Sequence, residues 1–312
     1  MMTTGPCPST AGIPDSRGTR RVAVDNPNSQ PGLGMLAGVG DDDVPISGTP
    51  SPSFDRPPLV EVALGVEFSP VPGFGAVPLA RFADRLHDRY PVVQEYPPLP
   101  RNPPIGVDDQ IGGGLVVNVG APSIRLWLLS REQDQLLQVQ RDRLIVNWRV
   151  GTSSSSYPRY RDALRPAFAR EYQGLLSFLT DVGLPTSGLV GVEVTYVNVV
   201  AGSSDESSDI GAILRSQRPS EGRFGAPRTT RLQQQWEWTG HEGAASVLTM
   251  DAAQPATRES TIAMNLTARS ALSTNAGIDD VLRSLDLCHD EVVSAFVELT
   301  EPDRHLEWGR TS

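Results

Sequence analysis

The sequence predicts an α+β, two-layer fold: one curved antiparallel sheet with two long helices on one face, built as a degenerate tandem duplication. Three observations predict it. Short runs of period-2 alternation recur along the chain, beginning with Val60, Val62, Leu64, Val66 and Phe68. Two long segments carry apolar residues at helical spacing. The order strand, short helix, strands, long helix then occurs twice, over residues 57–187 and 188–312.

Residues 1–55 are rich in Gly, Pro, Ser and Asp without a sustained hydrophobic period, and read as a disordered leader before a single domain over 56–312. Within the leader, Asp41–Asp43 reads as a solvated charge run, because no calcium-loop spacing follows it. Gly32, Gly34 and Gly38 approach a dinucleotide fingerprint, but no strand precedes them and no helix follows.

The patterned region opens at Pro57–Phe68, PPLVEVALGVEF, where valines alternate with Glu61, Ala63, Gly65 and Glu67. Leu79, Phe82, Leu86 and Tyr90 share one face of a short helix that Pro91 ends. EYPPLPRNPPIG is an extended crossover, since each proline pushes its predecessor out of the helical region. Ile124, Leu126 and Leu128 mark a strand, and Leu136–Gln140 with Arg143–Arg149 form a hairpin around Arg141 and Asp142. From Tyr160 to Leu179 the period changes to that of a long amphipathic helix, with Pro158 near its start, Pro166 as a kink, and Gly183 and Pro185 as the stop.

The second half repeats the order. Val192–Val200 is a strand, Ile210–Ser216 a short helix, and Thr230–Trp238, Ser246–Asp251 and Ser260–Arg269 are strands. A final helix carries Ile278, Val281, Leu285, Cys288, Val292 and Phe296 on one face and acids on the other. Such an arrangement resembles the saddle of TATA-binding proteins and the helix-grip folds, an analogy of fold that carries no function.

Four segments appear in a telling order: PPLVEVALGVEF with the proline-rich YPPLP, LLQVQRDRLIVNWR with a downstream YPRY, GVEVTYVNVV, and FVELTEPDRHLEWGR. On these, the chain resembles a sporadically distributed, uncharacterised bacterial family known only by a serial designation. The resemblance spans about 57 to 310. It implies a shared fold and the scattered inheritance of accessory or defence-linked genes, and it transfers no catalytic residue.

The formal net charge of −10 argues against a nucleic-acid surface, which needs a basic patch. All 27 basic residues are arginines, so chemistry that needs a lysine, as at a P-loop or a Schiff base, is excluded. Two cysteines, Cys7 and Cys288, make no disulfide framework. No stretch reaches the ~20 apolar residues of a membrane span, and the N-terminus lacks the pattern of a secretory signal, so a cytoplasmic location is expected. His87, His241, His289 and His305 show no metal-ligand spacing, and neither metal nor cofactor is expected.

Polar residues inside good strands are the candidate ligand-binding set. Arg143, Asn147 and Arg149 share one side of a strand and suggest an anion pocket. Tyr196 and Asn198 share a side of theirs and are expected on the same floor, with Trp236 and Trp238 lining a cavity. The alternative is that one face of an antiparallel sheet simply meets water. No paired carboxylates, HExxH or GxSxG stand out. The expected function is therefore a non-enzymatic interaction or regulatory protein, acting with a neighbouring gene product. A small-ligand binder using a polar concave sheet face, and a hydrolase or nuclease with scattered acids, are the alternatives.

Overall fold

Alternation along the first strand decides which way the sheet faces. Strand β1 (Leu59–Phe68) buries Val62, Leu64, Val66 and Phe68 in the apolar core and turns Glu61, Ala63, Gly65 and Glu67 to the opposite side. Because paired residues on neighbouring strands share a side, this parity spreads across the sheet. The computed structural model describes residues 52–105, 123–151, 156–186, 188–201, 214, 230–254 and 261–311. Most of the expected leader lies outside them, as does the short helix expected over Ile210–Ser216 apart from Leu214, which bridges to Thr300.

The fold is α+β. Its strands are β1, β2 (Val92–Tyr96), β3 (Arg125–Leu129), β4 (Gln135–Gln140), β5 (Arg143–Arg149), β6 (Leu189–Ala201), β7 (Thr230–Thr239), β8 (Ala245–Gln254) and β9 (Thr261–Ala271). They form one open antiparallel sheet of nine strands in the order β2-β3-β4-β5-β1-β6-β9-β8-β7. Strands β1 and β6 pair in its middle. Outward from that junction the order is β5-β4-β3-β2 on one side and β9-β8-β7 on the other.

The apolar side is covered by helices. Helix α1 (Ala76–Arg85) contacts β3, α2 (Arg165–Asp181) lies against β5, and α3 (Ile278–Leu299) lies against β6 and β9; a short α4 (Pro302–Glu307) follows. Phe168, Leu175, Phe178, Val281, Leu285 and Val292 enter the same core as the inward strand residues. No helix among the described residues is long and apolar enough to cross a membrane.

Three local features differ from the periodic reading. Helix α1 ends at Arg85, short of Tyr90, whose hydroxyl instead donates to Glu171 Oε1 at 3.3 Å. Glu171 is fully buried on α2 and also pairs with Arg89 at 3.0 Å and Arg170 at 2.8 Å, so it ties the α1 turn to α2. Pro166 does not kink a continuous helix. It lies in the first turn of α2, directly after a wide π-turn (Tyr160–Leu164) in which Arg159 O accepts from the N–H groups of Ala163 and Leu164. A proline cannot continue the backbone ladder, and it is tolerated where the first turn has no partner for an N–H. Val92–Tyr96, with no apolar face to betray it, forms the edge strand β2.

The proline-rich segment after β2 crosses the polar side of the sheet. Leu99 exchanges hydrogen bonds with Gln140 of β4, and Arg143 of β5 donates to Pro100 O. Asn102 Nδ2 donates to Glu67 of β1 at 3.2 Å and to Glu193 of β6 at 3.0 Å, and Arg269 of β9 donates to Pro103 O at 3.1 Å. Prolines suit this path because they bring no N–H that would need a partner over the sheet, while their carbonyls accept from arginines. Gly65 makes room for the contact: a Cβ there would stand 2.7 Å from Glu193 Cγ. Gly65→Ala is therefore expected to cost about 1–3 kcal/mol as an overpacked site. In urea unfolding the cost should vanish in a Glu193→Ala background, and simple additivity of the two changes would refute the contact.

Candidate functional site

The seven residues expected to form one pocket lie on two sides of the sheet. Arg143, Asn147 and Arg149 are on the polar side, whereas Tyr196, Asn198, Trp236 and Trp238 share the parity of the helix-covered side. The two sets cannot share a floor, because the sheet itself separates them.

On the polar side the expected donors are already engaged. Arg143 is 4% exposed and faces Glu67 at 3.2 Å. Asn147 donates to Glu61 Oε1 at 2.6 Å and accepts from Gln138, which accepts in turn from Arg125. Arg149 donates to Gln133 O and lies over the ring of Trp127. These chains link β3, β4, β5 and β1 into one hydrogen-bonded surface, partly under the proline-rich segment. Trp236, 36% exposed, and the half-buried Trp238 stand on the edge strand β7.

Tyr196 and Asn198 instead line a cleft of about 540 Å³ on the helix side. It lies where β1 begins and β6 ends, between the π-turn and α3. The β1–β6 register shifts here, Leu59 facing Asn198 and Glu61 facing Val197. Such a bulge re-aims neighbouring side chains. One wall is built by the segment before β1: Phe54 bridges to Arg310 and packs edge-on against Phe296 at 5.5 Å. Leu59, Val293 and Phe296 complete an apolar lining.

Polar groups converge on this lining. Tyr157 and Tyr196 share a hydrogen bond between their hydroxyls at 2.8 Å, and Tyr196 OH lies 2.9 Å from His289 Nδ1. His289 stacks on Tyr160 with ring centroids 3.9 Å apart. Tyr160 is held from its far end, its hydroxyl donating to Asp286, which also receives Arg165 Nε. Asn198 is 2% exposed, and among the described residues its side chain makes only a long hydrogen bond, 3.5 Å, from Nδ2 to Met264 O.

At the mouth stands Arg159, whose guanidinium makes no hydrogen bond or ion pair among the described residues. Its backbone has φ 60° and ψ 141°, a region that costs a non-glycine residue about 1–3 kcal/mol. The two hydrogen bonds to its carbonyl hold it there. Beside it, Arg161 reaches Asp290 at 3.6 Å, and Asp55 and Asp162 are exposed on the rim.

Burial keeps the interior groups neutral. It pushes Tyr157 up to about 12 and raises Tyr196 well above the ordinary phenol value. Tyr160 rises through burial and the Asp286 charge. His289 is pushed down to about 3, by burial first and by the Arg161 charge second. Cys288, fully buried on α3, is raised by the same cause.

Of the residues lining this cleft, the sequence singled out Tyr196 and Asn198 as candidates and not Tyr157, Arg159, Tyr160 or His289. The YPRY segment was the available signal, a proline followed by basic and aromatic residues just before a helix. Among the described residues, no group of three or more His, Cys, Asp or Glu could hold a metal ion. Comparison of the chain with protein-family models, curated proteins and solved structures finds no match.

Because folding lowers the pKa of His289, the neutral ring stabilises the fold fully above about pH 6.5, and that contribution is lost as pH falls toward 3. Between pH 6 and 4 the unfolding free energy should fall by an extra ~1.4 kcal/mol per pH unit relative to His289→Gln. Urea titrations of both proteins across that range check this, and parallel pH profiles would refute it.

Proposed function

We propose that this protein is a non-enzymatic binding module that takes a small molecule in the cleft between the π-turn and α3 and works with a protein partner. One observation carries the reading: Asn198, a buried amide whose side chain makes one long hydrogen bond among the described residues, lines a cavity of about 540 Å³ together with aromatic and aliphatic side chains and a charged rim. Pockets of ~300–1,000 Å³ with a few converging polar groups are the usual form of small-ligand sites. The titrating groups support binding over acid–base catalysis. A general acid or base works best with a pKa near the operating pH, and here the tyrosines move up and the histidine moves down.

The strand orders on the two sides of the β1–β6 junction, alike except for the additional edge strand β2, support descent from a tandem duplication of 57–187 and 188–312, in a saddle-like or helix-grip-like arrangement. The quoted segments support membership of the uncharacterised, sporadically distributed bacterial family. The net charge of −10 supports a cytoplasmic protein that meets a protein surface and not nucleic acid.

A thermal-shift screen against chemically diverse small molecules tests the binding reading. At least one class should raise the melting temperature of the native chain and leave that of Val293→Trp, which fills the cleft, unmoved. A ligand that shifts both alike, or a broad screen without a shift, would count against the cleft.

A further inference from the structure

We infer that the cleft takes a planar heterocycle bearing an anionic group, a nucleotide-type ligand, with the ring edge on Asn198 and the anion on Arg159. The inference rests on the cleft being a ligand site and names what the site selects. Asn198 carries a donor and an acceptor side by side, and its burial at 2% exposure makes a partner for both valuable. The ligand edge that satisfies an asparagine amide bidentately has an adjacent acceptor and donor, as in a lactam or an amino-substituted ring nitrogen. A flexible aliphatic ligand would add nothing to the long bond this amide makes to Met264 O.

The walls favour a flat ring for the same position. Phe54, Phe296 and Tyr157 line the cleft, and aromatic faces stack on heterocycles of any sequence or substituent. Arg159 supplies the other end. Its planar fork suits the paired oxygens of a phosphate or carboxylate, and it is held in a strained backbone conformation with no partner among the described residues. Asp55 and Asp162 share the rim but are exposed, so solvent screens their repulsion of an anion.

Isothermal titration with a purine nucleoside, its 5′-monophosphate and inorganic phosphate separates the contributions. The monophosphate should bind tightest, with an affinity that falls as salt rises. Asn198→Leu, close to isosteric, should weaken both base-bearing ligands at least tenfold. Arg159→Ala, at an exposed position that leaves the fold intact, should weaken the monophosphate about tenfold and leave the nucleoside unchanged. No binding of either base-bearing ligand at millimolar concentration, equal binding of all three, or unchanged affinity in both variants would overturn the inference. If another chemical class shifts the native chain and not Val293→Trp, while no heterocycle binds, the ligand assignment fails and the cleft remains a binding site.

Discussion

The antiparallel pairing of β1 with β6 is the constraint on which the rest depends. Nine paired positions, from Leu59↔Asn198 to Phe68↔Leu189, join segments far apart in sequence at the centre of the sheet. Each strand then carries its own run of neighbours outward. Since parity alternates along both, this register decides which residues of β1 and β6 meet the helices, and each further pairing carries the parity outward. The irregularity at Leu59 and Glu61 is part of the same pairing, and it falls where the cleft opens.

The two sides of the sheet meet burial in different ways. The helix side is satisfied by apolar packing against α2 and α3. The other side holds buried polar groups that need partners, and they find them laterally: Arg143 with Glu67, Asn147 with Glu61 and Gln138. Removing one member of the buried Arg143–Glu67 pair would leave the other charge uncompensated, which is strongly destabilising. The proline-rich segment completes the arrangement from above. Asn102 bridges Glu67 and Glu193 across the β1–β6 junction, so the central pairing is fastened on its polar side as well as through the backbone.

In the cleft, burial and unmet hydrogen-bonding capacity point the same way. Tyr157, Tyr196 and His289 neutralise one another without a charge among them, and Tyr160 is anchored to the Asp286–Arg165 pair behind it. Among the described residues, Asn198 keeps only its long bond to Met264 O, and the Arg159 guanidinium makes no hydrogen bond or ion pair. Both line the same cleft, Asn198 buried and Arg159 exposed. The hydrogen bonds from Ala163 and Leu164 to its carbonyl hold Arg159 in a conformation a glycine would adopt more cheaply.

By itself the sequence determined the α+β class, most strand and helix positions, and the core-facing residues, because period-2 and helical spacing are local signals that burial imposes residue by residue. It also placed Glu67 opposite the valines of β1, where it accepts from Asn102. It could not show β2, whose five residues expose both faces, or the wide turn before Pro166, which depends on Arg159. Only the tertiary structure decided that Arg143 and Asn198 lie on opposite sides of one sheet. That fact depends on the registers between strands distant in sequence, and no pattern within a strand records which neighbour it will have. The cleft has the same origin: Phe54, Tyr157, Asn198 and His289 come from four separate parts of the chain, and the folded β1–β6 junction is what brings them together.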